Sequence, residues 1–208
     1  MYKIILSLIA AATLAVATET APAMHCTLSQ EGPVTIEWKA FKTPAKIGVG
    51  GVFDTVHYSA AKQEGTNFRE ILVGSSVTID EKSVNSKNKG RDAKLVKFFF
   101  DRMKGETIEA KIVDIVAASK ESGKPKTGTL TAAITMNGIT RKVPMHYRYD
   151  QGQLHAEGVI DLFDFSASPA LQSINKACYA KHQGKTWNDV TIGFTTQIKA
   201  VCVPTTSK

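Results

Sequence analysis

The residues able to carry polar chemistry are five histidines (His25, His57, His146, His155 and His182), three cysteines (Cys26, Cys178 and Cys202) and a close carboxylate pair, Asp161 and Asp164. A metal site needs His and Cys ligands at short repeated spacings on one element, and no histidine here is read as a member of such a set. Acid–base work by the carboxylate pair would require both on one face, whereas positions 161 and 164 of an alternating strand point to opposite faces. There is no Gly-x-Ser-x-Gly elbow, phosphate-binding loop or Cys-x-x-Cys pair. The chain is therefore read as a binding protein without metal or cofactor. The catalytic alternative is an enzyme acting on a bound lipid through a dispersed site that includes His146 or His155.

The elements that would position a binding site are strands. From Pro33 onward apolar and polar residues alternate, the period-two signature of half-buried β-structure. Strands are expected over about 33–42, 49–58, 70–79, 107–117, 126–136, 139–149, 153–163 and 188–200. Asn137-Gly138 is a strong two-residue hairpin signal, and Gly123 with Pro125, and Gly152, mark two further turns. Two stretches break the alternation and read as helical, about 89–100 and 168–182, the second with Ser168 as cap and Pro169 at its first position. The fold class expected is all-β: an eight-stranded antiparallel barrel with two short helical segments at its mouth, because closure removes exposed sheet edges.

The inward faces of these strands are aliphatic and aromatic. Ile36, Trp38, Phe53, Val73, Ile134, Met136, Met145, Tyr147, Ile192 and Phe194 are expected to line a lumen, closed at its mouth by Phe98, Phe99 and Ile174. A small barrel can also be filled by its own side chains, which leaves a stress-related secreted barrel without a ligand as a second alternative. Small residues on the same registers, Ala40, Gly51, Ser75, Ala110 and Ala132, and the adaptable Met136 and Met145 point instead to a cavity.

Residues 1–17 carry a lone Lys3, an apolar run and a small-residue end, Ala15-Val16-Ala17, the pattern of a secretory signal peptide. Cleavage is expected after Ala17, with Ala23 as a second choice, leaving one domain over 18–208 in the periplasm or outside the cell. Loss of Lys3 takes the formal charge from +7 to +6. Export and the dispersed lysines disfavour nucleic acid. The densest basic stretch, Lys82, Lys87, Lys89, Arg91, Lys94 and Lys97, reads as a solvated face or as a transient contact with an anionic membrane surface. A homodimer is a further expectation. Export also permits disulfides. Closing the barrel through its first and last strands sets Cys26 near Cys202, so this pair is expected to be bridged and Cys178 to be a free thiol.

Four segments carry a resemblance to a known family. They are Trp38-Lys39-Ala40-Phe41-Lys42-Thr43 with Val49-Gly50-Gly51-Val52-Phe53-Asp54; Ser83 to Ser86 with Gly90-Arg91-Asp92, Leu95 and Phe98-Phe99-Phe100; Gly128 to Thr131 with Asn137 to Val143; and Asp189 to Ile192. In this order the chain resembles the YceI-like, polyisoprenoid-binding proteins over nearly all of its exported part. The resemblance implies a lipocalin-like barrel that holds a long isoprenoid, or similar long-chain lipid, in its lumen. Two departures stand out: Lys94 occupies a position where the family usually has histidine, and the segment before the phenylalanines is shorter. Both bear on the head of the ligand more than on the tunnel. If that head is a phosphate, Arg91 and Lys94 are the expected contacts. Each CH₂ hidden from water is worth roughly 0.8 kcal/mol, so a chain of several isoprene units strongly avoids water, while its transfer from a bilayer is nearly balanced.

Overall fold

The computed structural model describes residues 24–118 and 124–205. The expected signal peptide over 1–17, the alternative cleavage site at Ala23 and the expected turn at Gly123 lie outside them. In chain order the elements are β1 (Met24–Lys42), β2 (Ile47–Phe53), β3 (Val56–Ser59), β4 (Glu64–Gly65), α1 (Phe68–Leu72), β5 (Ser76–Asp80), β6 (Val84–Asn85), α2 (Lys89–Phe98), β7 (Thr107–Ala117), β8 (Lys126–Met136), β9 (Ile139–Asp150), β10 (Gln153–Asp161), α3 (Ser168–Ala177), α4 (Tyr179–His182) and β11 (Thr186–Pro204).

The strands form one antiparallel sheet in the order β3-β5-β7-β8-β9-β10-β11-β1-β2-β6, with β4 added to β1. The sheet curls until its ends meet through the chain itself. β2 pairs with β1, and two residues later β3 pairs with β5 on the opposite edge. The bend at Asp54-Thr55 is held on both sides, by Asp54 N–H donating to Ser83 C=O at 2.9 Å and Asp80 N–H donating to Thr55 C=O at 3.1 Å. Counting β2 and β3 as one bent strand and setting aside the two-residue β4 and β6, eight strands surround the lumen.

Local chemistry explains the pairing. Asn137 and Gly138, both at positive φ, make the β8–β9 hairpin, and Gln151 and Gly152 do the same between β9 and β10. Alternation is clean along β8 and β10, whose even-numbered residues from Gly128 to Met136 and from Leu154 to Ile160 are buried. Leu130, Leu154 and Ile198 are almost wholly buried, each stabilising the fold by about 1.5–3 kcal/mol.

Three expectations are corrected. Residues 70–79 are not one strand: Asn67 caps α1 by accepting Glu70 N–H at 3.0 Å, and the strand begins only at Ser76. Helix α1 buries Ile71 and Leu72 completely and plugs the end of the barrel remote from α2. Ser168 does not cap α3. The cap is Ala167, whose carbonyl already accepts Leu171 N–H, because the helix runs directly out of the 3-10 turn Leu162–Phe165 through a left-handed Ser166. Asp164 lies in that turn, past the end of β10, while Asp161 accepts Phe163 N–H and Asn188 Nδ2. The terminal strands also outrun their expected limits: β1 and β11 continue past the barrel as a two-stranded ribbon. There Cys26 opposes Cys202 and is joined to it by a disulfide, while Cys178 is free.

Candidate functional site

The barrel encloses an outer cavity of about 410 Å³ beneath α2 and α3 and an inner chamber of about 100 Å³. They meet at a shared collar of Trp38, Phe53, Ile108, Met136, Ile160 and Ile192. The inner walls are apolar, with Ile36, Ile134, Met145 and Phe194 projecting from four different strands around Ala110 and Ala132. Trp38 can serve as a wall because its indole N–H donates to Val52 C=O, at 3.3 Å, instead of standing unpaired.

The roof is built from two helices. Asn88 caps α2 by accepting Arg91 N–H, which sets Arg91, Lys94 and Leu95 over the outer cavity. After α2, Phe100 is buried edge-on to Phe53 and Phe99, with ring centroids 6.0 and 5.2 Å apart. Across the opening α3 contributes Leu171 and Ile174.

The rim is polar and of one sign. Lys42, Arg91, Lys94 and Lys181 line the outer cavity with His182, Asn88, Thr186 and Trp187, and no Asp or Glu among the described residues does so. None of the four cationic side chains has an ion-pair or hydrogen-bond partner among the described residues. His182 is lowered below the usual histidine range, first by burial and then by Lys42 and Lys94. Its Nδ1 lies 2.7 Å from Thr186 Oγ1, and Thr186 stands opposite Lys42 on the β1–β11 ladder. The arrangement can hold an apolar chain inside and a negatively charged group at the opening.

A family model for the YceI-like domain matches residues 29–198, a range that reaches into every strand of this barrel and takes in both roof helices. The chain belongs to the YceI-like family. The fold of this YceI-like chain is similar to that of a polyisoprenoid binding domain from Saccharophagus degradans implicated in plant cell wall breakdown. That match has TM-score 0.56 and 13% identity over 86% of this chain and 100% of that one. It is also similar to Burkholderia cenocepacia BcnA, with TM-score 0.53 and 15% identity over 80% of this chain and 96% of that one. At these identities the likeness is one of fold. No curated protein matches the sequence.

In this YceI-like barrel Ile36, Ile134, Met145 and Phe194 line the inner chamber, Trp38, Phe53, Met136 and Ile192 line both spaces, and Phe99, Ile174, Arg91 and Lys94 line the outer cavity. Val73, Phe98 and Tyr147 line neither. Val73 ends α1 and has no place on a lumen-facing strand. Phe98 is covered by the Lys97 ammonium, 5.4 Å from its ring centroid. Tyr147 packs edge-on to Phe68 beside the α1 plug, centroids 6.0 Å apart. Gly51 stands opposite Trp38 and shares the parity of Val49 and Phe53, but it opens no cavity space, because the Asn85 carbonyl of β6 fills the place a side chain would take. His146 is exposed, and His155 stands outward with Nδ1 2.8 Å from Thr195 Oγ1. The sequence reading missed Lys42, Lys181, His182 and Thr186. Their signal was positional: Lys42 ends β1 and Thr186 begins β11, while Lys181 and His182 close α4 just before that strand.

Proposed function

We propose that this protein is a periplasmic or secreted carrier that holds a long apolar chain of isoprenoid type, polyprenyl or quinone-like, for transport, storage or sequestration. The observation that carries the reading is the pair of confluent cavities, about 410 and 100 Å³, with apolar walls drawn from nearly every strand. The name of the Saccharophagus degradans domain, a polyisoprenoid binding domain of the same fold, supports it. The polar head rests at the mouth beside Arg91 and Lys94. Exposed Lys87, Lys89 and Lys97 lie on or beside the α2 roof and exposed Lys181 lines the mouth; together they suit brief contact with anionic membranes, each nearby cation adding about 1 kcal/mol.

The test is purification from the native exporting cell without detergent, followed by organic extraction and mass spectrometry. The expected result is a long-chain isoprenoid or related lipid in stoichiometric amount. Repeated recovery of well-folded protein without lipid, together with no thermal stabilisation by polyprenols or quinones, would reject the carrier reading in favour of a filled barrel.

A further inference from the structure

A relay of hydrogen bonds fixes the tautomer of His182. Asn175 Nδ2 donates to Gly184 C=O at 3.1 Å, which turns Asn175 Oδ1 toward Thr186. The reversed amide would set two acceptor oxygens against each other. Thr186 Oγ1 donates to Asn175 Oδ1 at 2.9 Å, so its only proton is committed. The 2.7 Å contact with His182 Nδ1 then requires the imidazole to donate. In the neutral ring Nε2 is left as a bare acceptor, on a residue that lines the outer cavity.

That acceptor sits in a field that opposes its protonation. Lys42 lines the same cavity from β1, Arg91 and Lys94 from α2, and Lys181 and the Cys178 thiol from its own α3–α4 stretch, while β11 contributes Thr186, Trp187, Val190 and Ile192, none of them charged. Burial and the charges on Lys42 and Lys94 keep the imidazole neutral. An anion seated among the four cations would cancel that repulsion and place acceptor oxygens next to Nε2, reversing the balance between the two protonation states.

We infer that the mouth is a proton-coupled anion site: an acidic ligand head binds among Lys42, Arg91, Lys94 and Lys181, and His182 takes a proton from solvent as the head arrives, turning Nε2 from acceptor to donor. This rests on the carrier reading, since the head must be brought by a chain in the lumen. It adds a chemical preference, for acidic over neutral amphiphiles, and a dependence on pH, with affinity for acidic heads rising as pH falls.

The experiment compares tetradecanesulfonate with tetradecanol. The sulfonate does not titrate, so any proton exchanged belongs to the protein. Calorimetry of the full exported chain in buffers of different ionisation enthalpy should give uptake of roughly half a proton or more per sulfonate at pH 7. Sulfonate affinity should tighten about 5- to 10-fold from pH 8 to pH 6, as the imidazole charges in the complex before it does in the free protein, while tetradecanol binding stays flat. His182→Gln, which cannot titrate, should bind the sulfonate more weakly and without the uptake or the pH slope, while tetradecanol binding reports that the lumen is intact. Absence of uptake in the native protein, or uptake that survives in His182→Gln, overturns the inference while tetradecanol binding preserves the carrier reading. If neither amphiphile binds, the carrier reading itself fails and the inference with it.

Discussion

The rings of Phe53 and Phe100 meet edge to face, 6.0 Å between centroids, and so tie the bent β2–β3 strand to the turn that ends the α2 roof. Phe100 is buried while α2 itself has no buried residue, so this contact is the principal apolar anchor of one side of the mouth. Replacing a buried Phe by Ala typically costs about 3–5 kcal/mol when the surroundings cannot collapse. Phe100→Ala should lower the thermal midpoint and, at temperatures where the barrel persists, speed the exchange of a fluorescent long-chain probe. Unchanged exchange kinetics would show that α2 is held by other contacts.

Ala132→Trp offers a test of the lumen. Ala132 is buried on β8 and faces the inner chamber of about 100 Å³, which an indole would largely fill. Lipid recovered by extraction should fall severalfold, with the loss greatest for the longest chains, while circular dichroism retains the β signal. Equal recovery of long chains would place them elsewhere.

Glu81 sets a pH dependence for stability. It is nearly fully buried, its Oε1 has no hydrogen-bond partner among the described residues, and burial raises its carboxyl from the ordinary 4.5 to about 7. Asp80, Asp101 and Glu106 add to the rise, and Lys82 opposes it. The unfolded chain releases this proton at lower pH than the folded one. Stability from this group is therefore full below about pH 4, falls as pH rises toward 7 and levels off above, a loss on the order of 3 kcal/mol. Glu81→Gln should flatten that part of the curve of urea midpoint against pH and stabilise the protein at pH 8. A native midpoint that does not fall between pH 5 and pH 8 would contradict this.

The Cys26–Cys202 bridge closes a sequence separation of 176 residues, for which chain-entropy arguments give about 5 kcal/mol as an upper figure. The bridged ribbon carries exposed Met24, Val201 and Val203 and lies beyond the barrel proper. Cys26→Ser with Cys202→Ser should lower the thermal midpoint and raise amide exchange in 24–31 and 199–204. Protection at Leu130, Leu154 and Phe194 should persist. Loss of protection in all three regions together would make the ribbon part of the cooperative core.

Much of this architecture was legible in the sequence because its determinants are local. Alternation marked seven of the eight wall strands, Asn137-Gly138 fixed the central hairpin, and the antiparallel pairing of the first and last strands set Cys26 beside Cys202. The segment around Val73 misled because Ile71, Val73, Val77 and Ile79 alternate like a strand. The cap at Asn67 and the tertiary slot for Ile71 and Leu72 at the barrel end favour a short helix instead. Tyr147 keeps strand parity but falls beyond the cavity, a distinction of depth along the barrel that periodicity cannot express. The mouth was the least legible part. Lys42, Lys181 and His182 come together only when β1, α4 and β11 converge, and the role of His182 depends on Thr186 and Asn175, residues without a motif of their own.

Helix α1 gives the lumen a floor. A sleeve stopped at one end admits its guest only tail first and returns it head first, so orientation is settled by entry alone. The floor also turns the barrel into a ruler. A chain that bottoms out with its head level with Lys42 and Lys94 satisfies both ends at once, whereas a longer one lifts its head clear of the rim and a shorter one draws it down among the phenylalanines. On the carrier reading proposed above, length and headgroup are thereby read together, as a single measurement taken from the bottom of the well.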